Sequence, residues 1–427
     1  MKYLLDLVKA HKSGRAIGIY SACSAHPLVI EAVMLQGKKD NCHILIESTS
    51  NQVDQNGGYT GMTPPDFVEL VFNIADQIDF DRNKVIFGGD HLGPNTWQHL
   101  DAKQAMQNSE VLIEEYVKAG FKKIHLDCSM ACSDDPIPLG DEIKAKRAAR
   151  LCQVAEETAI RTFGVSDIVY VIGTEVPVPG GETEEISTLE VTSVESAQAT
   201  VNYHLEEFAA CGLMNVWQRV IGLVVQPGVE FDHHNVFYYQ SENAQKLKEY
   251  IEKESNLLYE AHSTDYQKPL TYKELVKDHF AILKVGPALT FKLREALFLL
   301  SDIERALIPD EKCSDFLNIV VSSMNNNTTY WEKYYSDNQP QQSIDMQFSL
   351  SDRIRYYWSD ESISHAVSVM IDNLSKVNIP LTLLSQYLPK QFDAVVSSEI
   401  KNNPKEIILN KIMEVTEVYN QACLERN

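Results

Sequence analysis

The chain has 427 residues, 44% hydrophobic and 23% charged, a globular composition with more length than the roughly 250 residues of a plain (β/α)8 barrel. Its formal charge of −22 repels phosphodiester backbones and excludes nucleic acid as a partner, so an anionic small substrate must be held by local donors working against the overall field. No apolar run approaches the roughly eighteen residues of a membrane span, and the eight cysteines are scattered, which reads as reduced thiols in a soluble, cytoplasmic protein with no membrane partner.

The first residues, MKYLLDLVKAHKSGRA, predict a short amphipathic helix. Asp6 and Lys9 interrupt its apolar stretch, so it is not a secretory leader. Short β-branched runs then recur at 16–22, 43–48, 84–90, 123–127, 169–175, 220–226, 257–262 and 282–286, each the length of a buried parallel strand. Helical stretches lie between them. One covers 102–120 and ends on Gly120, a helix-stop residue. Such alternation builds right-handed βαβ units, and eight of them predict an α/β fold, a closed (β/α)8 TIM barrel over 1–300. An open doubly wound sheet is the alternative, but no G-x-G-x-x-G follows any strand. After residue 300 the alternation stops. The segment 301–324 reads as helical, NNNTT as a polar break, 331–335, 352–358 and 384–392 as aromatic-rich, and 406–427 as a final helix. The region 301–427 is therefore expected to be an α-helical extension packed on the barrel.

In a barrel the C-terminal ends of the strands converge on one face. Polar residues at those ends are Ser24 and His26; Glu47, Asn51 and Gln52; Asp90, His91 and Asn95; Asp127 and Ser129; Glu175; Gln226; Glu260, His262 and Asp265; and Lys284 with Gly286. Burying so many polar groups costs free energy unless they bind something. His91, Glu175 and His262 are read as a divalent-metal site, zinc first, with positions left open for water or substrate. Asp90 is the general acid/base candidate, with Asp127 and Glu175 completing the catalytic set. Glu47, Asn51, Gln52, Asn95, Ser129, Gln226, Ser263, Lys284 and Gly286 are expected to bind substrate. Phosphate is expected at Ser263, Thr264 and the amides of the Gly286–Ala288 turn, where glycine lets an anion approach the backbone. The Gly-rich loop at 57–61 reads as a lid rather than a phosphate cradle, and Arg353 and Arg355 either as residues that reach over the mouth or, equally, as solvated or packing residues.

The segments ESTSNQVDQNGGYTGMTP, GGDHLGPN, GTEVPVPGG, VVQPGVEFDH, YEAHSTDYQ and LKVGPALTF occur in that order. They resemble the GatZ/KbaZ family, the accessory subunit of class II D-tagatose-1,6-bisphosphate aldolase, from SACSAHP through LSQYLPKQF. The resemblance implies a class II aldolase-like barrel and a place in galactitol or N-acetylgalactosamine catabolism. It also implies a non-catalytic role that supports the zinc-dependent catalytic subunit. Asp90 and His91 then resemble that enzyme's acid/base and metal pair, and His262 a later metal ligand. Strand six departs from the pattern, ending in Gln226 where the catalytic aldolases supply a histidine. Relatives of the family imply the alternative of a metal-dependent 4-epimerase interconverting fructose 6-phosphate and tagatose 6-phosphate. A homo-oligomer is compatible with either reading. A sugar-phosphate kinase finds no support, since there is no Walker-type loop.

Overall fold

A computed structural model describes residues 1–174 and 189–424. Eight parallel strands close into a barrel: β1 (Ile19–Cys23), β2 (Ile44–Thr49), β3 (Val85–Leu92), β4 (Lys123–Asp127), β5 (Val169–Gly173), β6 (Val220–Val224), β9 (Leu258–Ala261) and β10 (Phe280–Val285). The sequence did not announce β7 (Glu230–Phe231) and β8 (Val236–Phe237), a small antiparallel hairpin inserted after β6. Two-residue strands carry too little periodicity to be seen.

Side chains alternate between the barrel's interior and its helical jacket. On β2, Ile44 and Ile46 join the large outer core while Leu45 turns inward. At the N-terminal end, Ile19, Leu45, Ile86, Val169, Ile221, Leu258 and Ile282 form an apolar plug with Leu4, Leu7 and Val8. These last three come from the first helix, Lys2–Lys12, which stoppers the barrel's lower end. Two residues further along the strands the interior turns polar. Glu47, Lys123, Glu260 and Lys284 are all buried there. Gly88 makes the room, because a Cβ at that position would stand 2.4 Å from Glu47 Oε1.

Beyond β10 the helix Pro287–Leu307 runs down the barrel wall. The stretch 301–324, expected as one helix, is two: the chain breaks near Pro309 and resumes at Phe316–Asn326, because proline bars its preceding residue from helical geometry. The last helix, Pro404–Cys423, packs on the barrel helices Pro27–Lys39, Pro269–Lys277 and Pro287–Leu307. Tyr419 Oη lies 2.9 Å from Thr264 Oγ1, and Cys423 O accepts the amide of Gly18 at 2.9 Å. Residues 353–358 form a short turn of helix and its end, from which Arg355, Tyr356 and Trp358 line the cavity above the barrel. Among the described residues no helix is long and apolar enough to cross a membrane.

Candidate active site at the barrel mouth

The site starts from an irregularity. Pairing of β3 with β4 slips between Gly89 and Leu92, and His91 has φ of 50°. In a regular strand Asp90 and His91 would face opposite ways; the bulge and the left-handed residue let both line one cavity. Ser263, just past β9, also has a positive φ, 52°, and lines the same cavity. Strained non-glycine backbone of this kind collects at functional sites.

Below the cavity lies a buried charge network. Lys123 Nζ stands 2.7 Å from Glu47 Oε1 and 2.6 Å from Glu260 Oε2. Lys284 bridges Glu47 and Asp90, its Nζ 2.8 Å from Asp90 Oδ2. His125 Nδ1 lies 2.9 Å from Asp90 Oδ1, His91 Nδ1 2.8 Å from Asp127 Oδ2, and His262 Nε2 3.0 Å from Glu260 Oε1. Ser129 donates its hydroxyl (2.6 Å) and amide (3.0 Å) to Asp127 Oδ1. The three imidazoles His91, His125 and His262 form a triangle with ring centres 5.1 to 5.3 Å apart.

Electrostatics follow from this arrangement. Burial pushes Asp90 towards neutrality, but His91, Lys284 and His125 outweigh it and hold the carboxyl well below the usual range. Burial likewise opposes the His91 imidazolium, and Asp90 and Asp127 overcome it, so its pKa is raised. His262 goes the other way: burial lowers it to about 4, leaving a neutral ring. Lys284, penalised by burial, is kept protonated by Asp90 and Glu47. Its ammonium is therefore a fixed cation rather than an amine nucleophile.

Two clusters have metal-ligating composition: Asp90, His125, Glu260 and His262, and Cys23, Glu47 and Asp90. In the second, the Lys284 ammonium already bridges both carboxylates. The first fits a cation better. His125 Nδ1 lies within hydrogen-bond distance of both Asp90 Oδ1 and the His91 amide, and its buried Nε2, a potential ligand atom, has no hydrogen-bond partner among the described residues. Glu47, Asp90 and Glu260 share the two ammoniums of Lys123 and Lys284, and Asp127 faces His91. The excess negative charge is what an imidazolium or a divalent cation would balance. Mixed imidazole and carboxylate donors suit zinc and its first-row neighbours.

The expected site residues separate accordingly. Asp90, His91, His262, Asn51, Gln52, Ser263, Lys284 and Gly286 line a cavity of about 570 Å³. Asp127, Glu47 and Ser129 support it from beside or beneath. Asn95 is buried in the turn after β3, outside the lining. Gln226 is tied into a turn, its Oε1 accepting the amides of Gly228 (2.8 Å) and Val229 (3.0 Å). Glu175 lies outside the described residues. The amides of Gly286 and Ala288, expected to cradle phosphate, instead donate to Asp265 Oδ1 at 3.1 and 2.8 Å, and Thr264 spends its hydroxyl on Lys284 O and Tyr419. His125 and Lys123 were missed as site residues, although Lys123, His125 and Asp127 occupy every second position of KIHLD. Polar residues in that alternation on a buried strand mark an interior-facing polar column.

The chain's similarity to known proteins agrees with this architecture. It aligns with the crystal structure of a probable tagatose 6 phosphate kinase from Sinorhizobium meliloti 1021 at 44% identity and a TM-score of 0.88, covering 95% of this chain and 100% of that one. The YdjI aldolase from Escherichia coli K12 aligns at 10% identity with a TM-score of 0.40, over 85% of this chain and 94% of its own, too distant to carry an argument. The model of the family described as D-tagatose-1,6-bisphosphate aldolase subunit GatZ/KbaZ-like matches residues 4–424. The chain belongs to that family.

Proposed function

We propose that this chain is the accessory subunit of a class II, zinc-dependent D-tagatose-1,6-bisphosphate aldolase, supporting the activity and stability of the catalytic subunit in D-tagatose 6-phosphate catabolism, as in galactitol or N-acetylgalactosamine breakdown in the cytoplasm. Family membership motivates the reading, and the observation that carries it is the end of β6. Gln226 turns its amide into its own loop, so this strand offers the mouth no imidazole. Mixing the purified chain with the catalytic subunit tests it: bisphosphate cleavage and the partner's half-life should both rise, and an unchanged partner would sink the role.

A second reading has its own observation, the furnished mouth. A mere support would not retain ionised Asp90 beside neutral His262 at the floor of a cavity of about 570 Å³. As a fructose 6-phosphate/tagatose 6-phosphate 4-epimerase, the chain would use Asp90 to take the C4 hydroxyl proton as the C3–C4 bond breaks. Asp90 would return that proton after the aldehyde re-adds through its other face. His125, Glu260 and His262, with His91 adjacent, would hold a divalent cation, whose chemistry is to polarise the sugar oxygens. Carbon NMR of fructose 6-phosphate with the chain alone and added divalent metal tests this. Conversion should stop with chelator and fall about 10²- to 10⁴-fold in Asp90→Asn. Undiminished epimerisation by metal-free protein would overturn the metal part.

A further inference from the structure

Among the described residues the cavity lining holds one lysine and one arginine, Lys284 on the floor and Arg355 in the roof, and they differ in how they are neutralised. Lys284 is held by Glu47 and Asp90. No carboxylate among the described residues lies within ion-pairing distance of Arg355. Its Nη1 donates to the carbonyl oxygens of Ser351 and Asp352, and its Nη2 to Tyr356 Oη at 3.0 Å. These neutral acceptors orient a guanidinium without cancelling its charge. The nearby acid is already used, since Asp352 pairs with Arg294 at 2.9 Å. In a chain of formal charge −22, a half-buried guanidinium at the cavity with no carboxylate in direct contact is a site at which an anion can be met locally against the overall field.

The opposite wall explains why the anion has to be met from above. Asp265 caps the amides of Gly286 and Ala288, so the backbone donors at this helix start are closed to a ligand. Asp265 also lines the cavity; burial pushes its carboxyl up to about 6, against the amides it accepts and the field of Arg355, so at neutral pH it still brings negative charge there.

We propose that Arg355 anchors a phosphate monoester in this cavity, so that the C-terminal segment, not the turn after the last strand, supplies the phosphate subsite. The inference rests on reading the mouth as a sugar-phosphate site, and adds where the phosphate goes. A planar guanidinium presents paired donors that match two phosphate oxygens. The sugar then extends downwards, bringing its hydroxyls towards Asp90 and His262.

The test uses the full-length protein, titrated calorimetrically with inorganic phosphate and separately with fructose 6-phosphate. Arg355→Gln should weaken both at least about tenfold, as expected for a lost charge-assisted pair, with Arg355→Lys between it and the wild type. Asp265→Asn keeps an acceptor for the two amides, removes the competing charge, and should bind phosphate more tightly at neutral pH. On the unmutated protein, phosphate should protect the Arg355 peptide from a dicarbonyl reagent, read by mass spectrometry; this arm survives if Arg355→Gln fails to fold. A folded Arg355→Gln protein that binds phosphate like the wild type overturns the subsite, as does an unprotected Arg355. If fructose 6-phosphate is not converted and no aldolase partner is stimulated, yet phosphate still protects Arg355, the functional reading falls and the subsite stands.

Discussion

The two ends of this barrel are made from the same strands and opposite materials. Leu45, Ile86, Leu258 and Ile282 meet the helix Lys2–Lys12 in a dry apolar plug, whereas two residues further along, Glu47, Gly88, Glu260 and Lys284 enclose charge. Apolar burial is favourable at about 25 cal/mol per Å²; burial of ions is not, and breaks even only when every ion is paired. The lower end therefore stabilises the fold and the upper end spends part of that stability on a poised site. Lys123 sits at the seam, fully buried between two carboxylates.

The largest effect should come from that seam. Lys123→Met leaves Glu47 and Glu260 buried without their shared ammonium and should cost about 3–5 kcal/mol, the usual loss when one partner of a buried pair is removed. Urea unfolding measures it, and a midpoint equal to that of the wild type would mean the network is dispensable. Acid titration probes the lower end. Burial lowers His11 to about 4, the largest influence on it, against roughly 6.5 in an unfolded chain. The folded state binds fewer protons, so this contribution is fully present above pH 6.5 and lost as the pH falls towards 4, by up to about 3 kcal/mol. Unfolding free energies measured between pH 4.5 and 7.5 should show a shallower slope in His11→Gln than in the wild type; equal slopes would remove His11 from the acid response.

Metal sharpens the contrast between the ends. Zinc at about a hundred times its dissociation constant should stabilise the protein by about 2.7 kcal/mol, visible as a higher Tm. Glu260→Gln and His125→Ala should lose that rise, while Leu7→Ala should keep it. A Tm indifferent to zinc in the wild type would rule the upper cluster out as a cation site. The smallest effect is expected from Leu7→Ala itself. It lowers stability by about 2 kcal/mol, the low end for a buried leucine, because a terminal helix can settle into the space; its metal response and any turnover should be unaltered.

Strand and helix alternation, and with it the barrel, is written locally: each element needs only its own periodicity, and the right-handed βαβ rule supplies the closure. The strand-end rule likewise located Asp90, His91, His262 and Lys284 at the cavity, since chain direction alone says which end of a parallel strand is up. Direction of a side chain is a different matter. That Asp90 and His91 share a face depends on a slipped ladder, and that Gln226 serves its own loop depends on a two-residue turn. His125 became part of the site because the closed barrel sets its Nδ1 against Asp90. Tertiary structure also decided that Asp265 occupies amides a phosphate was expected to use, and that Arg355, from the C-terminal segment, comes back over the mouth. Local composition determines secondary structure and polarity because those energies are summed within a segment. Which donor meets which acceptor is settled only when segments distant in sequence close on one another, because hydrogen bonds and ion pairs act over a few ångströms.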